Sequence, residues 1–121
     1  MLKRHIPAVL AFIALALPVA QAQQVPATAG RDFWCGIAFE VMTRDVPTDP
    51  DDERAAAAEI YVEGSRRLLQ RAIPILLESG FDDDSLARHR RDVTTAVTRA
   101  IVSGTGKPDY SFQECSALIG Q

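Results

Sequence analysis

The sequence predicts an all-α protein: a small antiparallel bundle of about three helices and a short C-terminal helix, closed by one disulfide. Three observations lead to this fold class. Apolar residues between Asp32 and Thr43 recur with the spacing of a helical stripe. Strong helix starts follow at Asp49 and Asp82, and no segment shows the alternation of a β-strand. The chain has 2 cysteines, one towards each end of the predicted domain.

Residues 1–22 have the features of a cleaved secretory signal peptide. A short basic start precedes an almost wholly apolar run over residues 6–20. A small-x-small site follows, so we expect cleavage between Ala22 and Gln23. The alternative is an uncleaved membrane anchor, but a spanning helix needs about 20 apolar residues and Pro18 ends this run too early. The expected location is therefore periplasmic or secreted.

The mature chain is predicted to contain a flexible leader over residues 23–30 and a single helical domain over residues 31–121. Loss of the two basic signal residues leaves 11 basic against 16 acidic residues, a net charge of −5. This balance argues against nucleic acid or an anionic membrane surface as a partner. Among macromolecular partners, an unknown protein is therefore the one that the charge allows. No transmembrane span is expected in the mature chain.

The first two helices are predicted from their apolar spacing and their end signals. The first covers about residues 31–43. The second has Asp49 as its N-cap and Pro50 at its first helical position, followed by acidic residues that face the positive end of the helix dipole. Gly80 is expected to close it. Pro74 lies in its last two turns and predicts a kink there, or an earlier end.

The last two helices have equally clear boundaries. Asp82 is a good N-cap for the third helix, which is expected to run to about Ser103 and to be closed by Gly104. A loop of turn-forming residues follows. Ser111 and Glu114 form a capping-box pattern, so a short fourth helix is predicted to begin there.

The two cysteines are predicted to form a disulfide. Exported proteins enter a compartment in which disulfides persist, and two cysteines allow a single pairing. If the first three helices fold antiparallel in turn, Cys35 and the end of the third helix both lie beside Ala58, and Cys115 follows shortly. The alternative is two buried free thiols. A redox role is not favoured, because the chain has no Cys-x-x-Cys pattern.

No active site is readable in the sequence, so we expect no enzyme activity, no metal site and no cofactor. Gly106-Lys107 lacks the earlier glycine and the following Ser or Thr of a phosphate-binding loop. The acidic runs at residues 49–53 and 82–84 do not have the ligand spacing of a calcium loop, and helix-start charge explains both. His89 lies among arginines and is expected at the surface.

Six arginines on the second and third helices are predicted to form one band. They are Arg66, Arg67, Arg71, Arg88, Arg90 and Arg91. The antiparallel register places Arg71 level with Arg90. The functional interpretation is a docking patch for an acidic partner or an anion. The alternative is a solvated face whose charge is neutralised by Glu63, Asp84 and Asp92. This alternative is favoured, because exposed runs of charge are usually solvated faces.

The chain resembles the many small exported bacterial proteins that are all-helical with one cysteine near each end. Its Phe33-Trp34-Cys35 start, its size and its export signal make it similar to the acid-stress periplasmic chaperones, although the spacing to Cys115 differs from theirs. The first hypothesis is a non-catalytic binding or accessory protein of the cell envelope. The alternative is a stress chaperone that exposes its apolar face when acid protonates its carboxylates. An unrecognised enzyme ranks last.

Overall fold

The described part of the protein, residues 24–120 of a computed structural model, is an all-α bundle with one disulfide. The elements are α1 (Ala27–Thr43), α2 (Glu53–Glu78), α3 (Asp83–Val97), a π-helical segment (Thr98–Val102) and α4 (Phe112–Ile119). No strand occurs within this range, which confirms the predicted fold class. No helix in it is both long and apolar enough to cross a bilayer. The predicted signal peptide lies outside the described residues.

Helix α1 is the centre of the bundle and packs against every other helical element. Phe33, Ile37 and Phe39 are fully buried along it. Burying a side chain of this size stabilises a fold by about 1.5–3 kcal/mol relative to leaving it exposed. Helix α1 is therefore the main source of the core.

The start of α1 corrects the predicted leader over residues 23–30. The helix begins at Ala27, and the Gly30 amide already donates to the Pro26 carbonyl at 2.8 Å. Ala29 is completely buried in the core. The prediction is wrong for residues 27–30, which carry too few apolar side chains to show a helical stripe.

Helix α2 runs antiparallel to α1 and starts later than predicted. Its N-cap is Asp52, which accepts from the Arg54 amide at 2.8 Å, while Asp49 holds the preceding turn by accepting from the Asp51 amide at 3.0 Å. The helix continues through Pro74 to Glu78. Gly80 follows with φ +104°, the left-handed conformation expected of a residue that closes a helix.

The register between α1 and α2 differs from the predicted one. The Ser65 hydroxyl donates to the Gly36 carbonyl at 2.7 Å, so Cys35 lies near Ser65 rather than near Ala58. The shift is about 10 Å along the helix axis. It arises because the connection between Thr43 and Glu53 is a long loop rather than a tight turn.

Helix α3 packs on α1. Asp82 caps it: the carboxylate accepts from the Ser85 amide at 2.8 Å, and the Ser85 hydroxyl accepts from the Asp82 amide at 2.9 Å. Its His89 ring stacks on Phe33 at 5.0 Å and meets Phe81 at 5.2 Å. His89 is therefore half-buried between two phenyl rings, which corrects its predicted place at the surface.

The disulfide joins Cys35 of α1 to Cys115 of α4, as predicted, with a Cα–Cα distance of 5.2 Å. A close approach of α4 to α2 accompanies it. A Cβ on Gly64 would lie 2.5 Å from Ile119 Cγ2, so only glycine leaves room for α4 here. Together the disulfide and this contact fix the position of α4 on the bundle.

Candidate functional site

An open apolar pocket lies beside the disulfide, between α1, the π-helical segment and the start of α4. We call it the Trp34 pocket; its volume is ≈ 270 Å³. Side chains four residues apart on α1 form one wall, and residues of the other two elements face them. The lining includes Trp34, Ala38, Phe39, Met42, Ile101 and Phe112.

The far wall of the Trp34 pocket is positioned by aromatic contacts and by the disulfide. Cys115 also lines the pocket and lies one helical turn after Phe112, so the disulfide places Phe112 against α1. The Phe112 ring lies 6.4 Å from the Phe39 ring and 5.9 Å from the Tyr61 ring. Rings at such distances attract each other through their edges and faces, which holds this wall in place.

Exposed apolar side chains concentrate at the same end of the bundle. Within residues 24–120, eight large apolar side chains are exposed, and six of them lie at this end with exposures between 39% and 67%. We call these six the apolar patch: Met42, Ile60, Val62, Ile101, Val102 and Phe112. Apolar exposure of this kind, gathered on one part of a small domain, is typical of an interaction site.

The π-helical segment contributes part of this patch. The Ser103 amide donates to the Thr98 carbonyl at 3.1 Å, five residues back. Ile101 lies within this segment, is 40% exposed and lines the Trp34 pocket. Single π-helical turns occur frequently at functional sites.

The structure does not gather the six arginines into one band. Arg71 Nε donates to the Asp32 carboxylate at 2.8 Å, whereas Arg90 Nη2 donates to the Glu40 carboxylate at 2.7 Å. Asp32 and Glu40 are eight residues apart on α1, which is about 12 Å along its axis. Arg71 and Arg90 are therefore not level, contrary to the predicted register.

The other four arginines lie in different settings. Arg66 pairs with Glu63 on the same helix, and Arg67 donates to the Ile119 carbonyl at 3.4 Å. Arg88 and Arg91 are exposed on the outer side of α3. Whether any of them docks a partner stays a prediction.

Asp32 is the one carboxylate of the described residues that lies deep in the fold, with an exposure of 1%. Arg31 approaches it at 3.2 Å in addition to Arg71 at 2.8 Å. The hydrogen bond to Asp32 raises the pKa of the Arg71 guanidinium above its ordinary value. A buried carboxylate needs such partners, so the contact ties α1 to α2 structurally.

Sequence reasoning did not identify the Trp34 pocket. The apolar stripe of α1 predicts core positions, and Trp34 and Ala38 are indeed buried, with exposures of 5% and 3%, whereas Met42 at the helix end is 39% exposed. Periodicity cannot show that a pocket opens beside buried residues of the stripe. The signal available was a cluster of apolar residues at the ends of elements: Met42, Ile101 and Phe112. Apolar residues at helix ends are exposed unless a neighbouring loop covers them.

Among the described residues no group of His, Cys, Asp and Glu has the arrangement of a metal site. Comparison with protein-family models, with curated proteins and with solved structures finds no match to this chain. The fold and the site thus define a class by their own features: a small, disulfide-closed helical domain with an open aromatic pocket at one end.

Proposed function

We propose that the protein is a non-catalytic binding or accessory protein of the cell envelope, which holds a bulky apolar side chain of a protein partner in the Trp34 pocket. The open pocket of ≈ 270 Å³ beside the disulfide is the observation that carries this proposal. Sites for drug-sized ligands measure about 300–1,000 Å³, so this volume suits a single large side chain.

The chemistry of the pocket walls supports binding rather than catalysis. The lining side chains are apolar or aromatic, with the Tyr110 and Ser111 hydroxyls, the Trp34 indole N–H and the sulfur atoms of Met42 and Cys115 as their polar or polarisable atoms, and they include no carboxylate, imidazole or amine. The Ser111 hydroxyl already accepts from the Glu114 amide at 3.0 Å as the N-cap of α4. Apolar walls of this kind gain free energy by excluding water from a partner's side chain.

Trp34 provides a direct test, because it is the only tryptophan of the chain and lines the pocket. We expect N-acetylphenylalaninamide to change Trp34 fluorescence in a saturable way, with a dissociation constant of about 1 mM, or about −4 kcal/mol. N-acetylserinamide is expected to have no effect. A change that stays linear with concentration for both compounds would contradict the proposal.

A matched pair of variants localises the binding. Ile101 and Leu77 are 40% and 41% exposed, but only Ile101 lies at the pocket. Ile101→Ser is expected to weaken binding of the phenylalanine compound at least about threefold, since it removes apolar contact area. Leu77→Ser is expected to leave binding unchanged. An equal effect of both variants would mean that the signal comes from elsewhere on the surface.

Export is the part of the proposal that rests on residues 1–22. Mass spectrometry of the protein recovered from the periplasm or the medium is expected to give an N-terminus at Gln23. Protein that retains Met1 and stays inside the cell would refute the proposed location.

A second candidate function is the acid-activated chaperone, and one observation favours it. Two α1 carboxylates hold the other long helices: Asp32 pairs with Arg71 of α2, and Glu40 pairs with Arg90 of α3. Loss of both pairs would loosen the contacts of α2 and α3 with α1. An acid titration with a dye for apolar surface separates the candidates, since only the chaperone gains dye binding on acidification.

A further inference from the structure

The net negative charge of the protein is concentrated beside the apolar patch. Residues 44–60 contain six acidic residues against two arginines, a net charge of −4, whereas the whole chain carries −3. We call residues 44–60 the acidic segment. Residues 99–114, on the other side of the Trp34 pocket, contain two basic and two acidic residues and are neutral. The patch is therefore flanked by negative charge on its α2 side.

The acidic segment lies at the same end of the bundle as the pocket, because it follows the end of α1, where Met42 lines the pocket. It forms the loop after α1 and the first turns of α2, and a cleft of ≈ 460 Å³ lies between them. Glu59 and Arg44 are the two charged residues that line this cleft, together with Thr43, Val46 and Val62. Met42 lines the Trp34 pocket and the next residue, Thr43, lines the cleft, so both concave sites reach the end of α1.

Most of this negative charge is not neutralised within the protein. Of the six carboxylates, Asp52 pairs with Arg54 at 3.1 Å. The other five form no ion pair with a side chain of residues 24–120: Asp45, Asp49, Asp51, Glu53 and Glu59. Their charges remain available to a partner at this end of the bundle.

We propose that the partner segment is basic and amphipathic, with one bulky apolar side chain for the Trp34 pocket and Lys or Arg residues that face the acidic segment. This inference rests on the proposed function and names the chemistry of the partner. Opposite charges across an interface speed association and exclude partners of the same sign. Because the pocket and the cleft both reach the end of α1, we expect the apolar anchor and the basic flank to lie only a few residues apart in the partner.

The same charges argue against two other occupants of the apolar patch. A second copy of the chain would bring two segments of net charge −4 together, and like charges that face each other cost binding free energy. An anionic membrane surface would meet the same repulsion. A basic polypeptide gains from both the apolar and the charged part of this end of the protein.

The experiment uses the exported protein and three tryptophan-free peptides that share a central phenylalanine. Their flanks are lysine, serine or glutamate, and Trp34 fluorescence reports binding at low and at high salt. We expect the lysine peptide to bind at least about fivefold more tightly than the serine peptide at low salt, and the glutamate peptide to bind weakest. The difference is expected to shrink at high salt because ions screen exposed charges.

A pair of charge variants tests where the selectivity arises. Asp51→Asn with Glu59→Gln removes two charges of the acidic segment and is expected to abolish the preference for the lysine peptide while serine-peptide binding persists. Asp83→Asn with Asp84→Asn removes the same charge at the start of α3 and is expected to keep the preference. Equal loss in both variants would overturn the assignment to the acidic segment.

The outcomes distinguish this inference from the proposed function. Equal binding of all three peptides to the parent protein would overturn the charge inference and leave the pocket as a binding site. No saturable binding of any peptide would refute both. Sedimentation that shows a dimer with the patch covered, or binding to phosphatidylglycerol vesicles in place of the lysine peptide, would identify a different occupant and overturn the inference.

Discussion

Replacing Cys35 and Cys115 with alanine removes the bond that closes most of the folded chain. The two residues are 80 apart in sequence, so the disulfide restricts a long loop of the unfolded chain. The chain-entropy relation gives about 4.5 kcal/mol for a loop of this length at 25 °C. Domains of this size have a total stability of about 5–15 kcal/mol. We therefore expect the variant to lose a large part of its stability and to be close to unfolding.

Urea unfolding followed by circular dichroism measures this loss. The double variant is expected to show a lower free energy of unfolding and a larger m-value, because an unfolded chain without the cross-link exposes more surface. Parent protein treated with reductant serves as the second arm, since it keeps both sulfur atoms in the core. A loss below about 1.5 kcal/mol in both arms, with an unchanged m-value, would refute the loop-closure reasoning.

Three further predictions concern the contacts that fix the bundle. Gly64→Ala is expected to destabilise the fold by up to about 2 kcal/mol: its Cβ would lie 2.5 Å from Ile119 Cγ2, and overpacking outweighs the gain in helix propensity. Asp32→Asn weakens the hydrogen bond from Arg71 and is expected to cost about 1.5–3 kcal/mol. Burial lowers the pKa of His89, although Asp92 opposes the shift. His89 is therefore protonated more readily in the unfolded state than in the folded state. The stability that neutral His89 contributes is fully present above its unfolded pKa of about 6.5, and it is lost as the pH falls through the lower pKa of the folded state.

Each of these predictions has a control measured by the same unfolding experiment. Gly120→Ala places a Cβ no nearer than 3.8 Å to any neighbour and is expected to be neutral. Asp109→Asn removes an exposed carboxylate that forms no ion pair within residues 24–120. His89→Gln is expected to flatten the stability curve below neutral pH. Curves of the same shape for parent and variant would mean that His89 does not titrate differently on folding.

Features that depend on neighbouring residues could be predicted from the sequence. The N-caps at Asp82 and Ser111 and the helix end at Gly80 were all predicted, because three or four residues suffice to form these hydrogen bonds. The pairing of Cys35 with Cys115 was also predicted, from the number of cysteines and the expected compartment. The helix register that accompanied this prediction was wrong.

The helical class, most helix ends and the disulfide could be read from the sequence, since they follow from local hydrogen bonding, from periodicity and from the presence of only two cysteines. Which faces meet depends on the packed fold: Ser65 lies against Gly36, His89 lies against Phe33, and a pocket opens beside Trp34. The register between two helices, and how much of an apolar face a neighbouring helix covers, depend on the loop between α1 and α2 and on many small contacts summed over whole helices. Periodicity shows that a face is apolar, but the packing of the other elements determines whether that face is buried or left open for a partner.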